Sequence, residues 1–138
     1  MLLNMAIAAL LMVVTTGIHA AGMLLVFRVI LPGRAQNTDF RLRIHLLLVG
    51  GVVLLMFLVS VMEVLVWSVT YLWLGALEGL EKATYFSMVT FTTLGYGEIV
   101  LDEQWRLLAS FEAANGIIMF GWTTAIVLAT VQRIYFNK

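Results

Sequence analysis

Thr84-Tyr85-Phe86-Ser87-Met88-Val89-Thr90-Phe91-Thr92-Thr93-Leu94-Gly95-Tyr96-Gly97-Glu98 is the stretch on which the reading of the chain turns. Its first half is apolar and extends back to Leu80. A helix over residues 80–91 is too short to cross a hydrocarbon layer, which takes about 20 residues, and suits a re-entrant or buried helix. The second half places two glycines around a tyrosine, after two threonines. Glycine reaches backbone torsions closed to other residues, so this half leaves the helix as irregular backbone.

The flanks say where such a segment sits. Residues 5–27 and 46–62 are uncharged; the second run continues past Glu63 to about residue 74, and residues 107–131 carry only Glu112 as a charge. Each is long enough to span a bilayer. Hydrophobic residues make up 62% of the 138-residue chain and charged residues 12%, against roughly one half and one quarter in soluble domains. The chain therefore reads as a one-domain, all-α integral membrane protein. Irregular backbone at membrane depth is tolerated only inside protein or along an aqueous path, so residues 92–97 belong in one of those two places.

Other classes fall away. A formal charge of zero gives no case for nucleic acid as a partner. Without cysteine, disulfides, thiol catalysis and thiolate metal sites are excluded. The N-terminus lacks the positive charge of a secretory leader and its apolar run is too long, so we expect a retained helix. Two histidines far apart, His19 and His45, make no metal site.

Pro32-Gly33 should end the first helix, and residues 33–43 are polar. Six of the eight basic residues (Arg28, Arg34, Arg41, Arg43, Arg133 and Lys138) flank the first loop or lie at the C-terminus. Basic residues mark the cytoplasmic side, which places the N-terminus outside, the first loop inside, residues 75–104 outside and the C-terminus inside. Three spans plus a re-entrant helix satisfy that parity. The outer region carries Glu78, Glu81, Glu98, Asp102 and Glu103 against Lys82 and Arg106, an acidic surface that concentrates cations.

A row of backbone carbonyls can replace the water shell of a dehydrated cation. Glycine-permitted torsions at Gly95 and Gly97 would let successive carbonyls face one way, with the Thr93 hydroxyl as a further oxygen and with Leu94 and Tyr96 turned outward as braces. The preceding helix would aim its partially negative C-terminal end at the ion path.

At these residues Thr92-Thr93-Leu94-Gly95-Tyr96-Gly97 resembles the T-V-G-Y-G filter of the potassium channel family, in the variant with Leu for Val. The resemblance extends over residues 42–136 as the family's two-helix pore module: outer helix 42–74, pore helix 80–91, filter 92–97 and inner helix 104–136, preceded by an extra transmembrane helix 1–30 and a cytoplasmic loop 31–41. It implies K+ as the permeant ion, held by the carbonyls of Thr93, Leu94, Gly95 and Tyr96 and the Thr93 hydroxyl, with Gly97 closing the filter. It implies a homotetramer in the cell membrane among lipids. Gly116 matches the family's hinge glycine and Gly121 a second glycine. Close helix packing is the competing account of both, and the better one for Gly121. Ile117, Phe120 and Thr124 match cavity-lining positions. The first helix has no arginine series and does not resemble a voltage sensor.

The sequence departs from the family where Glu98 follows the last filter glycine in place of Asp, and where Val89 and Tyr85 stand at pore-helix positions that brace that Asp in relatives. Thr92, Val89, Glu98 and Tyr85 are thus the filter-support set, with a bracing network of its own. Glu63 and Glu112 are candidate modulators, since a charge at the centre of a spanning helix costs about 2.5–3.5 kcal/mol and must find a partner or a proton. Ser60, Trp67, Ser87 and Thr90 are the expected partners of Glu63. His19 suits an interhelical hydrogen bond better than a proton sensor. Trp67, Tyr71 and Trp73 are expected as interfacial anchors.

Besides a potassium-selective channel, the sequence admits a less selective cation channel, which Tyr96 disfavours, and a non-conducting accessory subunit. An intramembrane aspartyl protease fails for want of a second carboxylate partner, so an enzyme is not expected. Few residues follow the last helix, so no cytoplasmic ligand domain is expected. Gating is left to voltage at the filter, pH, tension, lipid or an unidentified partner.

Overall fold

The computed structural model describes residues 1–30 and 38–135 of the chain. Its elements are α1 (Leu2–Leu25), continued by a π-helical turn over Val26–Ile30, then α2 (Thr38–Trp73), α3 (Leu80–Phe91) and α4 (Arg106–Tyr135). No strand occurs among the described residues. Among the described residues, three helices are long and apolar enough to cross a membrane: Leu2–Arg28, His45–Trp73 and Arg106–Ile134. The break expected at Pro32-Gly33, the basic residue Arg34 and the C-terminal Lys138 lie outside the described residues.

α3 occupies the span expected of it. α2 starts earlier than expected, with residues 38–41 helical rather than looped. Polarity alone does not end a helix, and residues 38–43 contain neither proline nor glycine.

Helix directions follow from cross-helix contacts. Asn4 donates to the Gln104 carbonyl, Asn115 Nδ2 donates to Thr15 Oγ1 at 2.9 Å, and Thr123 Oγ1 meets His19 Nε2 at 3.3 Å. Partner numbers rise together, so α1 and α4 are parallel, and the N-terminus lies at the same end as residues 75–104. His19 pairs with Glu63 and Gly22 packs on Val59; here the numbers run oppositely, so α1 and α2 are antiparallel.

α1 hides its least apolar stripe. Asn4, Ala8, Leu11, Thr15, His19 and Gly22 are buried at helical spacing, whereas Leu2, Leu3, Leu10, Val13, Leu24 and Leu25 are exposed. Leucine gains nothing by leaving lipid tails, so small and polar residues hold the interface. α2 buries Val52, Met56, Val59, Ser60, Glu63, Val64, Trp67, Ser68 and Tyr71. Trp67 and Tyr71 are therefore core residues, packed against the buried face of the bundle, and not the interfacial anchors expected of them. Only Trp73 is exposed. An indole or phenol with one polar atom can serve either place, and the α2 periodicity decides for the inside.

Candidate functional site

α2 and α3 end in the same way, and the comparison defines the segment after α3. At the end of α2, Gly75 N–H donates to the Leu72 carbonyl at 3.0 Å and Ala76 N–H to the Tyr71 carbonyl at 2.9 Å, with Gly75 at φ +66°. This is a Schellman cap with its left-handed glycine. At the end of α3, Thr93 N–H donates to the Thr90 carbonyl at 2.9 Å and Leu94 N–H to the Val89 carbonyl at 2.9 Å. The left-handed position there is Thr93, at φ 61°. A non-glycine residue in that region costs on the order of 1–2 kcal/mol, offset by the two capping bonds and by a third from Gly95 N–H to the Val89 carbonyl at 3.2 Å. Val89 thus anchors the start of the segment through its backbone.

Beyond the cap, Gly95 lies at φ +57° and Gly97 at φ +82°, while Leu94 and Tyr96 keep negative φ. Residues 93–97 therefore alternate in handedness. An ordinary strand turns successive peptide groups to opposite sides; alternating handedness cancels that reversal and lets consecutive carbonyls face one side. Both glycines have open space where a Cβ would stand, so torsion and not crowding is the demand they meet.

The support set falls around this segment. Thr92 Oγ1 donates back to the Met88 carbonyl at 2.7 Å. Tyr85 donates its hydroxyl to Glu98 Oε2 at 2.9 Å. A phenol–carboxylate bond thus ties α3 to the residue after Gly97. That bond, with lesser contributions from desolvation and the charge of Glu98, raises the Tyr85 pKa above the ordinary tyrosine value. Leu94 and Tyr96 are 55% and 63% exposed. Behind the segment lies a cleft of about 620 Å³, part of it open to the surface, lined by Tyr85, Val89, Tyr96, Glu98 and Ala109 among others. The outward braces expected of Leu94 and Tyr96 do not meet a neighbour of that kind within one chain.

α4 grips α3 from behind in parallel register. Glu112 Oε1 is in hydrogen-bond contact with Ser87 Oγ, and one turn on, Gly116 lies against the Phe91 carbonyl. Phe120 stands edge-to-face on Phe91, ring centroids 5.8 Å apart. Gly121 has nothing within 4 Å of its Cβ direction. Ile117, Phe120 and Thr124 share an exposed face of α4, with Thr124 Oγ1 donating to the Phe120 carbonyl at 2.9 Å. Glu78, Glu81, Glu98, Asp102 and Glu103 are all exposed at the end where α1 begins.

The two buried glutamates find partners that the sequence reading did not assign. Glu63 Oε1 meets His19 Nδ1 at 2.9 Å with both side chains fully buried, and none of Ser60, Trp67, Ser87 or Thr90 bonds it. Glu112 takes Ser87, together with Tyr71, whose hydroxyl donates to Glu112 Oε2 at 2.7 Å. The signal available in advance was the four-residue step from Thr15 to His19, which puts two polar side chains on one face of α1.

The family model described as Ion channel matches residues 59–133, more than half of the chain. The match takes in the last part of α2 from Val59, all of α3, the alternating segment and nearly all of α4, and leaves α1 outside. Comparison with curated proteins and with solved structures returns no match. On the family match and three membrane-spanning helices, the chain is a multi-pass membrane protein of the ion channel family, a non-enzyme class.

Proposed function

We propose that the chain is one subunit of a potassium-selective channel, in which four copies surround one axis and K+ passes in single file down its gradient. The observation that carries this reading is the alternation of backbone handedness at Thr93, Gly95 and Gly97 on a segment hung from the C-terminal end of α3. Four such segments supply stacked rings of oxygens from Thr93, Leu94, Gly95 and Tyr96, with the Thr93 hydroxyl below and Gly97 at the mouth. Oxygens so placed replace water around a bare monovalent cation. The α3 carbonyl end adds a partial negative charge below them.

Three further features support the reading. The exposed Leu94 and Tyr96 and the cleft beside them suit a neighbouring subunit, so the oxygen rings and their bracing are completed together in a homotetramer. Ile117, Phe120 and Thr124 on one face of α4 suit a cavity below the rings. The exposed acidic residues near Gly97 suit an outer mouth that gathers cations. In this reading residues 42–136 form the pore unit, and the N-terminus is extracellular and the C-terminus cytoplasmic in the cell membrane.

The test is potassium flux through purified protein in liposomes, with Gly95→Asp beside it and reversal potentials in mixed K+ and Na+. Flux that Gly95→Asp abolishes and a reversal potential near that for K+ are expected. A reversal potential indifferent to the two cations would replace this reading with a less selective channel. Assembly without flux would make the chain an accessory subunit.

A further inference from the structure

Glu112 lies on α4, fully buried, between two helices that it does not belong to. Tyr71 of α2 donates to its Oε2 at 2.7 Å, and Ser87 of α3 meets its Oε1. The Ser87 oxygen also lies 3.1 Å from the Val64 carbonyl of α2. Tyr71, Ser87 and Glu112 are all fully buried, so each polar atom must be served from within the protein.

Proton counting makes the cluster directional. A serine hydroxyl has one proton and cannot give it fully to both the Glu112 oxygen and the Val64 carbonyl. Hydrogen positions follow from the network and not from heavy atoms alone. A proton on Glu112 satisfies every group: Tyr71 donates to Oε2, the Oε1 hydroxyl donates to Ser87, and Ser87 donates to the Val64 carbonyl. The chain then runs α2 to α4 to α3 and back to α2 without an orphan.

We propose that Glu112, as the neutral acid, is a positioning residue for the ion-binding segment, fixing the depth of α3 between α2 and α4. Ser87 is the handle, one turn before Phe91, and the segment is capped directly on Val89 and Thr90. A shift of α3 along its axis moves the Thr93 and Leu94 carbonyls with it, because their N–H groups are bonded to the helix that moves. Close-range coordination by oxygens is sensitive to displacements well under an ångström. Glu112 touches no ion, and its effect reaches the oxygens only through α3.

This inference rests on the selective-channel reading, so the experiment separates the two. K+ over Na+ permeability ratios are measured from reversal potentials for wild type, Glu112→Gln, Glu112→Leu and Ser87→Ala. Glutamine reproduces the acid's one acceptor and its donor, and should keep the ratio within about twofold, whereas Glu112→Leu and Ser87→Ala should lower it about tenfold, the scale of one lost buried hydrogen bond. A merely structural role would lower the amount of assembled channel and leave the reversal potential where it was. If Glu112→Leu does not assemble, Ser87→Ala carries the comparison, since it removes only a hydroxyl. An unchanged ratio in Ser87→Ala overturns the proposal, while a wild type without selectivity overturns the reading beneath it. The infrared spectrum should show one protonated carboxyl band that Glu112→Gln removes; identical spectra would overturn the neutral-acid assignment.

Discussion

Gly116 of α4 packs so tightly on Phe91, the last residue of α3, that a Cβ at position 116 would stand 1.8 Å from the Phe91 carbonyl oxygen. The obstacle is backbone, and the backbone of the helix from which residues 93–97 are hung. Gly116→Ala must therefore push α3 and α4 apart. Overpacking of this kind costs about 3 kcal/mol, and denaturation of the purified protein in detergent should show that loss. Gly121→Ala meets open space and replaces a poor helix former by the best one, so it should be neutral or stabilising by up to about 1 kcal/mol. Equal stability losses at the two positions would refute the contact at Gly116. The packing account of position 116 thus has a concrete neighbour, while that neighbour is missing for 121 within one chain. A change in gating without a change in stability for Gly121→Ala would mark position 121 as the one that bends.

The pair of His19 and Glu63 ties α1 to α2, and Glu63 Oε2 is buried with no partner among the described residues. His19→Leu removes the one side-chain bond that Glu63 has among the described residues. Breaking a buried pair from one side costs about 3–5 kcal/mol, whereas replacing both members by apolar residues is often neutral. His19→Leu with Glu63→Leu should then recover most of what His19→Leu loses, measured as unfolding free energies in a double-mutant cycle. Additive losses would show that the two side chains do not depend on each other.

How far the sequence could be read follows the same division between local and distant partners. α3 was legible over residues 80–91 because Gly79 precedes it and the cap at Thr93 follows within the quoted stretch; both its ends are local events. The alternating torsions at Gly95 and Gly97 were legible for the same reason. The left-handed Thr93 was not, since only the two capping bonds make threonine acceptable there. The need of Glu63 and Glu112 for partners was plain from the cost of bare charge in a bilayer. Their identity was not, because His19 is 44 residues from Glu63 and Tyr71 is 41 from Glu112. Trp67 and Tyr71 were misplaced at the interface because amphipathic aromatics suit both sites, and the face of α2 that α1 and α3 cover is a tertiary fact.

Close contact also fixes α1 laterally. A Cβ at Gly22 would stand 2.5 Å from Val59 Cγ2. Unlike the carbonyl opposite Gly116, this obstacle is a side chain that can be trimmed. Gly22→Ala should destabilise by about 1–2 kcal/mol, and Val59→Ala added to it should restore most of that loss by making room. Both effects are read from unfolding curves of the four proteins in one detergent. A double variant worse than the sum of the single ones would show that α1 does not seat on Val59.

The bond from Tyr85 to Glu98 has a pH dependence with a definite sign. The neutral phenol is the donor, and its pKa is raised, first by that bond, then by desolvation and the charge of Glu98. A group whose folded pKa lies above its unfolded value contributes its full stabilisation below the unfolded value, about 10 for tyrosine. That contribution is lost as pH rises through the folded value. The bond should therefore be intact across the neutral range and break only in alkali. Spectrophotometric titration should find Tyr85 ionising late, with Tyr85→Phe removing that component. Glu98→Ala should draw it down toward the ordinary value. If Glu98→Ala left the titration unmoved, Glu98 would not be what holds the Tyr85 proton, and the brace behind Gly97 would have to be sought in another residue.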